Sequence, residues 1–423
     1  MATYCVDPTA ATNGTGSLAS PFNAWSSAWS AAGAGSSDVL LQKQGTTFTG
    51  TIGCSRNGAS AAAPIIMGVY RAQTGERITG TQGAARVNGN GNAIGINMQD
   101  RYNVLVDGFE VYNCQNYGIY EGHSTGTADQ KADYVTAVQL KNLYVHHIYA
   151  YDLAAIWIQG SGVRYNNILI EDCAGDGLCH AGSVTGEDIV VRRINNTAGG
   201  LGDCIAHHYC RSNSYWRRCL LDHSNNSQKQ PMVLGTGVLI PASSIVIEDC
   251  ELIGNAEGAG SLSANFVTGL KIRRNKLTGD KGIYILGATS SADIDSNIVM
   301  GRGGNTIGIG CTSGATVNAR QNTIIAHQRA IELLGTKNVA TNNLIQSAGS
   351  TPILAYAKTT NYTNLDGNAE VDVLYRPQTV TVKRRGTYVG GKDFYGKQFY
   401  NPPNIGAVDD LPATRKYLVI TRR

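Results

Sequence analysis

The sequence predicts an all-β chain wound as a parallel β-solenoid. Three observations predict it: short strands recurring every 21 to 34 residues, a composition suited to tight turns, and one turn position that repeatedly carries an amide or a small residue. With 51 Gly, 10 Pro and only 16% charged residues, the chain favours short strands and frequent turns over long helices. The repeat is seen in "VLVDGFEV", "VQLKNLYV", "ILIEDCAG", "IVIEDCEL", "LKIRRNKL" and "VNARQNTI", each a strand, a polar pair and a turn residue. A second strand closes most copies, as in "YGIYEG", "AAIWIQG", "DGLCHAG", "DCIAHHY" and "KGIYILG". Such a unit cannot bury its inner face alone, but stacked copies bury it together.

The elements follow in order. Residues 1–50 form an N-terminal cap. Within it "SPFNAWSSAWSAAG" predicts a short helix with Ser20 as N-cap and Pro21 at its first position, its Phe22, Trp25 and Trp29 face plugging the open end of the stack. Residues 51–361 form about 10–12 coils. Residues 362–423 break the period and read as a C-terminal cap or oligomerisation segment. The turn column runs through Gly108, Asn142, Cys173, Ile194, Cys219, Cys250, Asn275, Asn297, Asn322 and Asn343. Coils stack about 4.8 Å apart, so amides in such a column can hydrogen-bond up and down it. Cys173, Cys219 and Cys250 fill the same inward space as packing thiols.

Charge and hydropathy exclude several function classes. The net charge is +4, and the longest basic run is Lys383-Arg384-Arg385, so no nucleic-acid footprint stands out. No run of about 18 apolar residues exists to span a membrane. The opening "MATYCVDPTA" has no charged region followed by an apolar one, so no signal peptide is expected in the chain.

The candidate chemistry lies in "CAGDGLCHAG" and "GLGDCIAHHYC", which place an Asp, a small apolar run and histidines twice, 27 residues apart. In register, Asp176 falls beside Asp203, Leu178 beside Ile205 and His180 beside His207. Carboxylates on neighbouring coils start about 5 Å apart, the range of a retaining glycosidase pair, and splaying widens it towards the inverting range. Acids that close do not both ionise freely, so one can serve as general acid and its partner as base or nucleophile. The competing reading is that each Asp caps its own turn. β-Elimination would instead need a base near a sugar C5 proton and a cation for its carboxylate, and His207 or His208, Tyr209 and Arg211 are the candidates. The histidines read equally as inward members of the ladder.

An outward column of Tyr120, Trp157, Cys179, Ala206, Ser263, Tyr284, Gly308 and Glu332 offers a shallow groove, where Tyr120 and Trp157 could stack on sugar faces or form a subunit contact. Cys179, His180, Cys204, His207, His208 and Cys210 are soft-metal ligand types. Their spacing matches no zinc knuckle and alternation divides them between two faces, so no metal is expected.

The stretches "YCVDPTAATNGTGSLASPFNAW", "AAAPIIMGVY", "NVLVDGFEV" and "PPNIGAV" resemble those of β-helix polysaccharide lyases related to chondroitinase B and the alginate lyases. The resemblance covers most of the chain and implies the right-handed parallel β-helix of the pectin-lyase-like superfamily. That group includes pectate lyases, polygalacturonases and bacteriophage tailspike depolymerases. The Lys and Arg segment of the chondroitinase B group is absent. Asp176-Gly177 and Gly202-Asp203-Cys204-Ile205-Ala206 are similar to polygalacturonase motifs, with Gly202 standing where that family has a first Asp. The resemblance implies a depolymerase of an acidic polysaccharide, by hydrolysis or as a lyase, or a non-catalytic glycan-binding spike. No cofactor is implied for hydrolysis, and calcium is the ion a lyase would call for. Likeness to a tailspike implies a homotrimer, virion-associated or extracellular.

Overall fold

The computed structural model describes residues 1–150, 152–194, 202–224, 229–235, 244–255, 260–302, 306–325, 327–335 and 337–346, with the backbone of two further strands, Ile353–Ala355 and Thr360–Tyr362. The chain divides into two units, Met1–Arg211 and Ser212–Arg423. Among the described residues both are stacks of short parallel strands, with one antiparallel strand pair, Ile65–Tyr70 against Arg77–Ile78.

In the first unit, parallel pairing already begins at Thr3–Val6, which runs beside Val39–Lys43. One wall consists of the strands Ile52–Gly53, Ile94–Asn97, Tyr117–Glu121, Ala154–Gln159, Asp176–Gly182 and Ile205–Cys210. Their inward residues superpose as Ile52, Ile96, Ile119, Ile156, Leu178 and Ile205. All six are fully buried, and burying each contributes roughly 1.5–3 kcal/mol relative to leaving it in water. The opposing sheet supplies Leu40, Met67, Val106, Leu140 and Tyr165 in one column. The long strands Gln139–Ile148, Val163–Cys173 and Val184–Ile194 turn two corners without losing their pairing. A left-handed residue makes each bend: Asn142, Asn167 and Asp188 at one corner, His147, Asp172 and Arg193 at the other.

The two corners correct the expected turn column. Gly108 and Asn142 belong to the first, whereas Cys173 and Ile194 are partners at the second, in line with Cys114 and Ile148. Reading one turn per coil merged two.

The second unit repeats the plan with Met232, Leu262, Ile283, Ile309 and Ile331 in its inner column. Its turn column is Cys219, Cys250, Asn275, Asn297, Asn322 and Asn343, as the sequence predicts. Asn275 Nδ2 donates to Asn297 Oδ1 at 3.1 Å, Asn297 Nδ2 to Asn322 Oδ1 at 3.1 Å, and Asn322 Nδ2 to Asn343 Oδ1 at 3.0 Å. The same oxygens accept the backbone N–H of the asparagine in the coil before. These amides are fully buried, and each Nδ2 also donates to a backbone carbonyl beside the ladder, Ile247 O, Ile272 O, Ile294 O and Ala319 O in turn. Outside the ladder, Arg217, Glu248, Arg273, Asp295 and Arg320 stand in register with alternating charge.

The capping helix spans Trp25–Ala31, with Ala24 as N-cap, so it starts later than Ser20-Pro21 suggested. Phe22 is held by the first strand, its N–H donating to Cys5 O at 2.9 Å and its carbonyl accepting from Asp7 N at 2.8 Å. Those extended bonds postpone the helix. A seven-residue helix has little intrinsic stability; this one is fixed by burying Trp25 and Trp29, with Trp25 Nε1 donating to Gln42 Oε1 at 3.0 Å. The outward column of the second unit reads Val233, Ser263, Tyr284, Gly310 and Glu332, so Gly310, not Gly308, stands beside Tyr284. The C-terminal segment 362–423 lies outside the described residues apart from the backbone of Tyr362. No helix among the described residues is long and apolar enough to cross a membrane.

Candidate functional site on the outer wall of the first unit

The expected register holds: Leu178 pairs with Ile205, Cys179 with Ala206, and His180 with His207. Strict alternation would send Asp176 and Cys179 to opposite faces, since they are three residues apart. The chain avoids this at Gly177, where a Cβ would lie 2.4 Å from Val191 Cγ1 and 2.6 Å from Cys204 O. Gly177 and Leu178 both use the inward side, so Asp176 and Cys179 share the outer one.

Asp176 is half-buried and Asp203 almost wholly buried. Asp203 N–H donates to Asp176 Oδ1 at 2.6 Å, and Gly177 N–H donates to Asp203 O at 2.9 Å. The two aspartates are therefore side by side in adjacent coils, and one oxygen of Asp176 also caps its neighbour's turn. Burial pushes the Cys179 thiol well above its ordinary range, and the charges of Asp176 and then Asp203 push it further.

His208 is half-buried and pairs with Ala181, one step diagonal to Cys179. Register then slips: Gly182 pairs with Cys210, leaving Tyr209 as an extra residue in the left-handed region with φ 44°. This bulge turns Tyr209 out of the ladder, where it is half-buried. Carboxylate, thiol and imidazole donor atoms of Asp176, Cys179 and His208 all lie within 4.8 Å of one another.

His180 and His207 are not on this wall. Both are fully buried in the interior, rings 5.1 Å apart. His207 Nε2 donates to Gly182 O at 2.7 Å, and Tyr165 hydroxyl lies 3.1 Å from His180 Nδ1. Burial pushes His207 down to about 4 and His180 well below its ordinary range. Of the two readings of these histidines, the inward ladder is the one the fold adopts, and neither ring can touch a glycan lying outside.

Arg211 is also redirected. Its Nη2 donates to Asp129 Oδ1 at 2.9 Å and its Nε to Asp133 Oδ1 at 2.5 Å. Both partners lie on a short helix, Ala128–Asp133, that packs on the strands of this wall. Gly182 permits the approach, since a Cβ there would lie 2.9 Å from Ala132 O and 2.3 Å from Gly160 O. This helix was not expected from periodicity. Its signal is the capping box of Thr127 and Gln130, whose reciprocal bonds are both present.

Tyr120, Trp157, Cys179 and Ala206 follow one another along the outer column as anticipated. Tyr120 and Trp157 are half-buried. Tyr117 joins them, 4.8 Å from the Tyr120 ring and 6.1 Å from Trp157 edge-on, and it was missed because it precedes the alternating part of its strand. Three aromatic rings thus lead along the wall towards the aspartates.

The family description "Right handed beta helix region" matches residues 217–369. No curated protein matches the sequence. Among solved structures, the complex of XylC with xylose is similar at 10% identity over 97% of this chain and 98% of that one, with a TM-score of 0.54. Pectate lyase Pel9A is 14% identical over 97% and 96%, TM-score 0.46. Full-length tailspike protein 2 of Escherichia coli O157:H7 bacteriophage CAB120 is 12% identical over 78% of this chain and 46% of that one, TM-score 0.48. At 10% identity the likeness to the XylC structure is one of fold alone, and with the family match over residues 217–369 it agrees with the strand register found here: the chain is a right-handed parallel β-helix.

Proposed function

We propose that the chain acts on a polysaccharide laid along the outer wall of the first unit, and that it cleaves a glycosidic bond by hydrolysis with Asp176 and Asp203. The observation that carries this reading is the pairing of the two aspartates in adjacent coils, with Asp203 N–H on Asp176 Oδ1 at 2.6 Å, next to the Tyr117, Tyr120 and Trp157 rings. Stacked aromatics give sugar faces an apolar platform, and two carboxyls on one wall supply acid and base. The half-buried Asp176, with one oxygen already accepting a backbone N–H, suits the base or nucleophile, which must stay ionised. The more deeply buried Asp203 is the acid. His208 and Tyr209 border the pair as polar contacts for the substrate. The structure of XylC, a protein of this fold, contains a sugar, xylose, which is in keeping with this use of a β-helix.

Hydrolysis is preferred to β-elimination because Arg211, the cation a lyase would place on the substrate carboxylate, is engaged by Asp129 and Asp133. An acidic substrate, a homotrimeric assembly and a place on a virion remain part of the proposal from the sequence resemblance alone. Sedimentation equilibrium tests the trimer, for which a single species at three chain masses is expected.

One observation favours a second reading. The Asp176 cap on Asp203 N–H is also what a purely structural turn would show, and the wall would then only bind glycan. Asp176→Asn and Asp203→Asn separate the two. The enzyme reading expects reducing-end release from a panel of capsular, O-antigen, alginate and pectic polymers to fall at least a hundredfold while binding persists. Release retained by both variants would reject the pair. Product absorbance from a conjugated double bond would replace hydrolysis with elimination.

A further inference from the structure

Asp176, Cys179 and His208 present three different donor types on one outer wall, their ligand atoms all within 4.8 Å of one another. We infer that they form a binding site for a borderline-soft divalent cation of the zinc type. The cluster is assembled from two coils. Asp176 and Cys179 face outward together because of Gly177, and His208 reaches them diagonally from the next coil just before the Tyr209 bulge.

The donor set selects the ion. One sulfur, one imidazole nitrogen and one carboxylate oxygen suit zinc or cobalt, whereas magnesium and calcium take shells made of oxygen. Zinc binds sulfur at about 2.3 Å and nitrogen or oxygen at about 2.0–2.2 Å, so its ligand atoms sit roughly 3.5 Å apart. The three donor atoms lie within 4.8 Å of one another, little wider than that spacing. Three protein ligands leave a fourth position for water or a substrate oxygen.

On binding, the Cys179 thiol would lose its proton to solvent and the thiolate would take the ion, as a thiol ligand must. Cys179 is flanked in its column by Trp157 and Ala206, which offer no competing ligand, and Asp176 and His208 are only half-buried. The other nine cysteines are buried free thiols, and among the described residues no other group of three such donors is this close. The inference does not depend on glycan cleavage, and the two uses of Asp176 exclude each other at any one moment: with the ion bound its carboxylate is a ligand, and it can act as base or nucleophile only in the ion-free chain.

The test uses the full chain, stripped with a chelator and titrated with cobalt. One equivalent should bind with a thiolate-to-cobalt charge-transfer band, and zinc should displace it and raise the melting temperature. Cys179→Ser should abolish the band, His208→Ala should weaken binding at least tenfold, and Cys250→Ser, which is no member of the cluster, should leave both unchanged. Circular dichroism of each variant checks folding. Absence of a charge-transfer band in the folded wild-type chain, or its survival in a folded Cys179→Ser variant, would overturn the site. Hydrolysis lost in Asp203→Asn with no cobalt bound by the wild type would leave the proposed function standing and this inference rejected; the converse outcome would reject only the function.

Discussion

At the scale of single residues, Asp176 holds two jobs that chemistry can part. Its Oδ1 accepts Asp203 N–H at 2.6 Å, and an asparagine keeps that acceptor while losing the charge. Asp176→Asn should therefore melt within about 0.5 kcal/mol of wild type, whereas Asp176→Ala should lose about 1–2 kcal/mol in urea denaturation because a buried N–H is left unanswered. A chain in which both substitutions cost the same would show that the cap does not matter.

His207 gives a prediction in pH. Its imidazole is pushed by burial from an ordinary 6.5 down to about 4, so between those values the unfolded chain binds a proton that the folded chain refuses. Stability should thus be whole above pH 6.5 and fall as pH drops towards 4, by roughly 3 kcal/mol from this group. His180 and His327 lean the same way, while Glu121, pushed up by burial, opposes them in the same window. The clean measurement is a difference: His207→Gln should flatten the decline between pH 6.5 and 4 relative to wild type. An unchanged slope would place the ring in contact with water.

At the scale of elements, the asparagine ladder is the strongest local device. Asn297 accepts from Asn275 N and Nδ2 and donates to Ile272 O and Asn322 Oδ1. Asn297→Ala removes all four in a water-free turn and should cost about 2–4 kcal/mol in denaturant unfolding. Exposed Lys337→Ala should cost nothing measurable. The short wall helix Ala128–Asp133 depends instead on Arg211. Arg211→Ala should speed tryptic cleavage after Lys131 at least tenfold while the global melt stays nearly constant, because opening there is local. The ladder was legible in the sequence, since a repeating Asn at one turn has few other uses. The wall helix was not, because six residues carry no periodicity and only the Thr127–Gln130 box marks its start. The two corners of the first unit were merged for a related reason. Asn142 and Cys173 both look like turn residues, and only backbone geometry shows that His147 and Asp172 bend the chain a second time.

At the scale of the whole molecule, stability rests on stacked aliphatic columns and buried thiols. All ten cysteines are free and buried, so a thiol reagent should find none reacting rapidly in the native chain and ten after unfolding in guanidinium. Added reductant should leave the melting temperature unchanged. One rapidly reacting thiol at Cys179, quenched by zinc, would still agree with the proposed cation site, whereas reaction at several would contradict the packing.

The period of apolar alternation by itself determined the parallel β-helix, the inner Ile, Leu and Val columns, and the pairing of Asp176 with Asp203, because coils of similar length must superpose like residues. Which way each side chain faces was decided only by tertiary structure. His180 and His207 look like chemistry in one dimension, yet strict alternation after Leu178 and Ile205 turns them inward, where burial keeps them neutral. Asp176 and Cys179 look opposed, yet their donor atoms lie within 4.8 Å of one another, with Gly177 between them at a spot where Val191 and Cys204 O leave no room for a Cβ.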